Sequence, residues 1–146
     1  MCHFKRKIAM KILYVIIFGF INFAIISCDN TTAEEYLIEG VKKTKEHDLK
    51  GAKELFDRAI EKKPDYAEAY KYRGRVKYNL NDTKGALNDF TKAIEIDENY
   101  AEAYYNRGTI YFYLDNIESA CKDFRKADEL KYPYVFENYR ICDYYN

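Results

Sequence analysis

A chain of 146 residues has room for one domain, and 48% hydrophobic beside 33% charged residues excludes a disordered chain. The formal net charge is zero, but residues 1–27 hold Lys5, Arg6, Lys7 and Lys11 and no acid, leaving 20 basic against 24 acidic residues in the rest. A body with a net charge of −4 has no general attraction for nucleic-acid phosphates.

The first element is the uncharged run from Ile12 to Ile26, preceded by the basic cluster. Fifteen residues rise about 22 Å as a helix, too short for a comfortable membrane span but suited to the core of a signal peptide. Met10 is an alternative start to Met1. The next residues, Ile25, Ile26, Ser27 and Cys28, resemble the bacterial lipobox. That resemblance implies a signal peptide over 1–27, diacylglycerol on the Cys28 sulfur, and a mature chain beginning there with a short tether over 28–32. Acyl chains can replace a spanning helix, because each buried CH₂ contributes about 0.8 kcal/mol. Asp29 resembles an inner-membrane retention residue of enteric bacteria, but the choice between inner and outer membrane stays open.

From Ala33 the chain repeats itself at a period of 34, in blocks 33–66, 67–100 and 101–134, without a gap. Nine columns are identical in all three, among them Tyr36/Tyr70/Tyr104, Gly40/Gly74/Gly108, Ala52/Ala86/Ala120, Phe56/Phe90/Phe124 and Ala59/Ala93/Ala127. Within each block Tyr and Gly lie four apart and Ala, Phe, Ala lie four and three apart, so two helices are predicted per block. Gly40 is expected opposite Ala52, letting the paired helices approach closely, with Phe56 and Tyr36 on the flanks. Asp48, Asp82 and Asn116 recur where the second helix should start and read as N-caps. Pro64 and Pro133 fall after second helices, where a helix must stop.

These residues and their spacing resemble the tetratricopeptide repeat over 33–134. The departures are small: Glu98 stands where the first block has Pro64, Pro133 is shifted by one, and of the late first-helix position only Tyr111 keeps the tyrosine, against Lys43 and Lys77. The resemblance implies an all-α helical solenoid of three helix-turn-helix repeats. The last unit leaves an apolar face. Residues 135–146 are expected to cover it with a capping helix presenting Val135, Phe136, Tyr139 and Cys142.

Chemistry-bearing residues are few. Past the signal segment His47 alone represents histidine, in a turn, so a histidine triad or a histidine-rich metal site is not expected. No cofactor, metal or catalytic residue is expected. Glu34, Glu68 and Glu102 recur at helix starts and suit the positive dipole end. Cys121 and Cys142 fall at similar heights if their helices are antiparallel, which permits a disulfide in an exported compartment or two buried reduced thiols.

In the tetratricopeptide family the first helices line a concave groove for peptides or partner helices. Carried over by position, that groove holds Leu37, Val41, Lys71, Arg75, Tyr78, Tyr105, Thr109 and Phe112. It reads as an apolar end, a basic centre where Lys71 and Arg75 could hold an acidic segment, and an aromatic end. The expected function is a lipid-anchored scaffold at the bacterial envelope that binds a protein or peptide, not nucleic acid. Self-association as a structural module, or binding of cell-wall glycan, are the alternatives.

Overall fold

The structure, a computed structural model, describes residues 30–135 and Cys142. The chain divides into two units, Met1–Thr31 and Thr32–Asn146. The expected signal segment, Cys28, Phe136 and Tyr139 lie outside the described residues. Among the described residues stand six α-helices and no strand: α1 (Ala33–Lys45), α2 (Leu49–Lys62), α3 (Ala67–Asn79), α4 (Thr83–Ile96), α5 (Ala101–Tyr113) and α6 (Ile117–Glu129). Helices pair as α1 with α2, α3 with α4 and α5 with α6, and α2 packs on α3 as α4 packs on α5. The fold is an all-α tetratricopeptide-type solenoid.

Thr32 opens the first helix with a capping box: its amide donates to Glu35 Oε2 at 2.8 Å, and the Glu35 amide donates to Thr32 Oγ1 at 3.1 Å. Thr32, expected in the tether, therefore belongs to the folded body.

The corner inside each repeat is built three times over. His47, Asn81 and Asp115 take left-handed φ values of 62, 65 and 59°. The next amide then reaches five residues back, Asp48 to the Lys43 carbonyl at 3.0 Å, Asp82 to Lys77 at 2.9 Å and Asn116 to Tyr111 at 2.9 Å. This Schellman closure satisfies carbonyls that the helix end would leave open. The side chains of Asp48, Asp82 and Asn116 in turn accept from the amides of Gly51, Gly85 and Ser119, starting α2, α4 and α6 as their recurrence predicts.

Phe56, Phe90 and Phe124 are buried in the heart of each pair, surrounded by fully buried alanines of the repeated columns. Each ring lies over the glycine of its partner helix. A Cβ on Gly40 would stand 2.6 Å from the Phe56 ring, against 3.1 Å for Gly74 and Phe90 and 3.0 Å for Gly108 and Phe124. The Phe56 ring, expected on the flank, thus takes the space left by the missing side chain, where it buries more apolar area than a methyl group.

Charged pairs tie the repeats at their joints. Arg73 Nε and Nη2 donate to Asp89 within its own repeat at 2.8 and 2.7 Å, while Nη1 donates to Asp57 of the preceding repeat at 2.7 Å. Arg107 repeats the fork on Asp123 at 2.8 Å, but reaches back to the neutral Thr91 hydroxyl at 3.2 Å. Burial acts against the Arg73 charge, yet hydrogen bonds and the charges of Asp89 and Asp57 outweigh it and raise its pKa.

The third repeat ends differently. Lys63 and Asp97 leave α2 and α4 at negative φ, −140 and −135°. After α6, Lys131 is left-handed at φ 64°, and the Tyr132 amide reaches the Ala127 carbonyl at 3.0 Å. Val135 and Cys142 are then buried against Ala120, Cys121, Phe124 and Ala127, and Cys121 is joined to Cys142 by a disulfide.

Candidate functional site

The first helices α1, α3 and α5 carry the eight groove positions read from the sequence, and the structure divides them. Leu37 is buried in the core, and Val41 packs against the same cluster. Tyr105 packs its ring 5.8 Å from Phe124 and 5.0 Å from Tyr132, and Phe112 lies against the same terminal cluster. Tyr78 and Thr109 are half-buried, and Arg75 is exposed.

Three of the eight meet at one place. Arg75 and Tyr78 from α3 and Thr109 from α5 border a cavity of about 150 Å³, with Asn79 and Asn106 on its rim and Phe90 and Ile110 at its floor. A space of this size holds a benzene-sized group, so it accepts one side chain. The rim is polar and mostly uncharged. Asn106 Nδ2 donates to the Glu102 carbonyl at 2.8 Å and the Thr109 hydroxyl to the Tyr105 carbonyl at 2.8 Å, which fixes both side chains against α5.

Lys71 requires a correction. Expected to reach into the groove beside Arg75, it is 3% exposed. Its ammonium lies 3.0 Å from Glu102 Oε2 and 3.5 Å from the centre of the Tyr72 ring. Both interactions offset the cost of burying the charge. Arg75 Nη1 stands 3.6 Å from Glu102 Oε1. The carboxylate facing the basic centre is thus the chain's own. Glu102 keeps its place in the first turn of α5, but its side chain bridges two repeats rather than serving the helix start alone.

An aromatic run borders this centre, with Tyr105 to Tyr132 at 5.0 Å and Tyr132 to Tyr134 at 5.6 Å. Burial, then the negative charge of Glu102, raises the Tyr132 pKa, so its hydroxyl stays a donor. Asn79 and Asn106 are absent from the sequence reading, which gives Phe90 only as a core column and Glu102 only as a helix start. Asn79 lies four residues after Arg75 and Asn106 three before Thr109, spacings that share a helical face with those chosen positions.

The comparisons agree with this architecture. Residues 74–115 match a family model described as TPR repeat, and residues 101–133 match one described as Tetratricopeptide repeat. No curated protein sequence matches the chain. Among solved structures, that of MamA is similar at 30% identity and a TM-score of 0.68, covering 70% of this chain; the chain spans 60% of that one. The second TPR of Spaghetti (RPAP3), bound to the HSP90 peptide SRMEEVD, is 26% identical with a TM-score of 0.66, covering 68% of this chain and 93% of that one. The first TPR of Spaghetti, bound to the same peptide, shares the fold at 23% identity and a TM-score of 0.72, over 79% and 93% of the two chains. The chain thus carries tetratricopeptide repeats.

Proposed function

We propose that this protein is an exported, lipid-anchored interaction scaffold that holds a segment of a partner protein along the face formed by α1, α3 and α5. The observation that carries the reading is the cavity between α3 and α5, where Arg75, Tyr78, Asn106 and Thr109 from two successive repeats converge on a space sized for one side chain. A related repeat structure, the second TPR of Spaghetti, holds a peptide, which supports the same use of this stack.

Attachment to the bacterial envelope is supported by the order of basic start, apolar run and Ile25-Ile26-Ser27-Cys28. The Cys121–Cys142 disulfide fits an oxidising compartment outside the cytoplasm. Anchoring at Cys28 would leave only 29–31 before the Thr32 cap, a span of about 14 Å at most from Cys28 to Thr32. The scaffold would then work close to the bilayer, on partners that are membrane-bound or wall-associated.

A photoreactive residue at position 78 should capture a partner in cells, whereas one at the exposed position of Lys84 should not. Cys28→Ala should abolish incorporation of labelled palmitate. Equal capture from both positions sinks the groove; unchanged lipid labelling sinks the anchor.

A further inference from the structure

The basic centre of the groove is where the sequence offers an anion seat and where the structure fills that seat from within. Lys71 and Arg75 supply two positive charges, and Glu102 supplies one carboxylate between them. The Lys71 ammonium is committed to Glu102 and to the face of Tyr72, and its side chain is 4% exposed. Arg75 is 52% exposed and could meet a ligand, but an acidic group approaching it would come up against Glu102, itself 28% exposed. Like charges meeting there oppose each other, damped by the solvent that reaches both Arg75 and Glu102. The adjoining cavity offers a different welcome: the Phe90 and Ile110 floor is apolar, and the Asn79, Asn106 and Thr109 rim is neutral.

We infer that Glu102 is a specificity-determining residue that closes the Lys71–Arg75 seat to acidic segments, so that the groove takes a segment placing an uncharged side chain in the cavity between α3 and α5. The inference rests on the groove-binding reading above. It assigns Glu102 a role that is neither a helix start nor a simple joint contact: it sets the sign of charge the groove accepts.

The test uses the full chain in detergent and two fluorescent probes with amidated C-termini, the heptapeptide SRMEEVD and the same peptide with its glutamates and aspartate replaced by their amides. The wild-type chain should bind the acidic probe no tighter than the amide form. Glu102→Gln should tighten the acidic probe roughly tenfold and leave the amide form within about twofold, the size of one removed charge opposition. Adding Arg75→Ala should cancel the gain.

Glu102→Gln leaves the buried Lys71 ammonium without its partner, so Lys71→Met with Glu102→Gln provides a second variant in which Arg75 alone must deliver the gain. The inference is overturned if the wild type already prefers the acidic probe about tenfold, or if the helical variants, by circular dichroism, show no gain, including no binding at all. Loss of in-cell capture at position 78 would remove the scaffold reading and leave this measurement standing. A captured groove partner beside an unchanged acidic preference would remove the inference alone.

Discussion

Arg73 and Asp57 belong to different repeats, yet the guanidinium of one donates to the carboxylate of the other at 2.7 Å while its remaining nitrogens grip Asp89. One planar side chain thereby fixes both the inside of a repeat and its angle to the one before. At the next joint the same place is held by Arg107 on Thr91, a contact without a second charge.

Removing the fork should be costlier than removing its outer partner. Arg73→Met leaves Asp89, 5% exposed, with Lys77 as its remaining cation, and should cost about 1.5–3 kcal/mol in urea unfolding. Asp57→Asn affects a carboxylate that is 38% exposed and should cost no more than about 1 kcal/mol. Equal losses from the two would show that the buried side of the fork holds no advantage.

The joint should also answer to acid. Burial alone would raise the Asp57 carboxyl, but hydrogen bonds from Lys53 and Arg73 outweigh it and hold it below the ordinary carboxylate range. Since the folded pKa is depressed, the unfolded chain takes the proton first. Its contribution is complete above about pH 4, the unfolded value, and fades as pH falls through the lower folded one. Thermal melts of wild type and Asp57→Asn should therefore converge toward pH 2 and separate above pH 4. A gap that widens on acidification contradicts the pairing.

The three equivalent glycines should not tolerate alanine equally. At Gly40 the new methyl would stand 2.6 Å from a fully buried ring, so Gly40→Ala should destabilise by about 1–3 kcal/mol. At Gly74 the approach is 3.1 Å, and the gain in helix propensity of about 1 kcal/mol offsets much of the crowding. Chemical denaturation of the two variants decides the order, and a more stable Gly40→Ala would mean that the Phe56 ring yields freely.

His47 occupies a left-handed position at φ 62° where Asn81 and Asp115 stand in the other repeats. Asparagine, aspartate and histidine all visit that conformation more often than other residues with a side chain, and glycine accepts it best. His47→Gly should raise stability by about 0.5–1 kcal/mol, read as a higher melting temperature, while Ala52→Gly in the neighbouring helix lowers it. A loss of stability on His47→Gly would point to a contact of the imidazole that outweighs its backbone strain.

Much of this architecture is legible from the sequence because every local decision is made three times. Asp48, Asp82 and Asn116 declare the second helices, and the alanine and phenylalanine columns declare the core. What escapes is whatever depends on how one repeat rests on the next. Glu102 reaches Lys71 across 31 residues, a separation that no helical period brings together and only stacking can. Lys71 could therefore pass for a groove residue when its own helix alone was considered. Leu37 was misplaced for a related reason, since the inward and groove-facing edges of a first helix are only a fraction of a turn apart. The exit at Lys131 was equally hidden, because nothing in Pro133 tells a left-handed corner from an extended one.

The corner residues carry a last consequence. Asp48, Asp82 and Asn116 each finish one helix through the backbone and begin the next through the side chain, so no residue there is spare. An insertion at that point would divorce the two duties and strand amides on one rod or carbonyls on the other. Length changes are thus kept out of the hairpins, whose two helices each corner joins through a single residue. The angle between repeats is set elsewhere, by contacts such as that of Arg73 with Asp57.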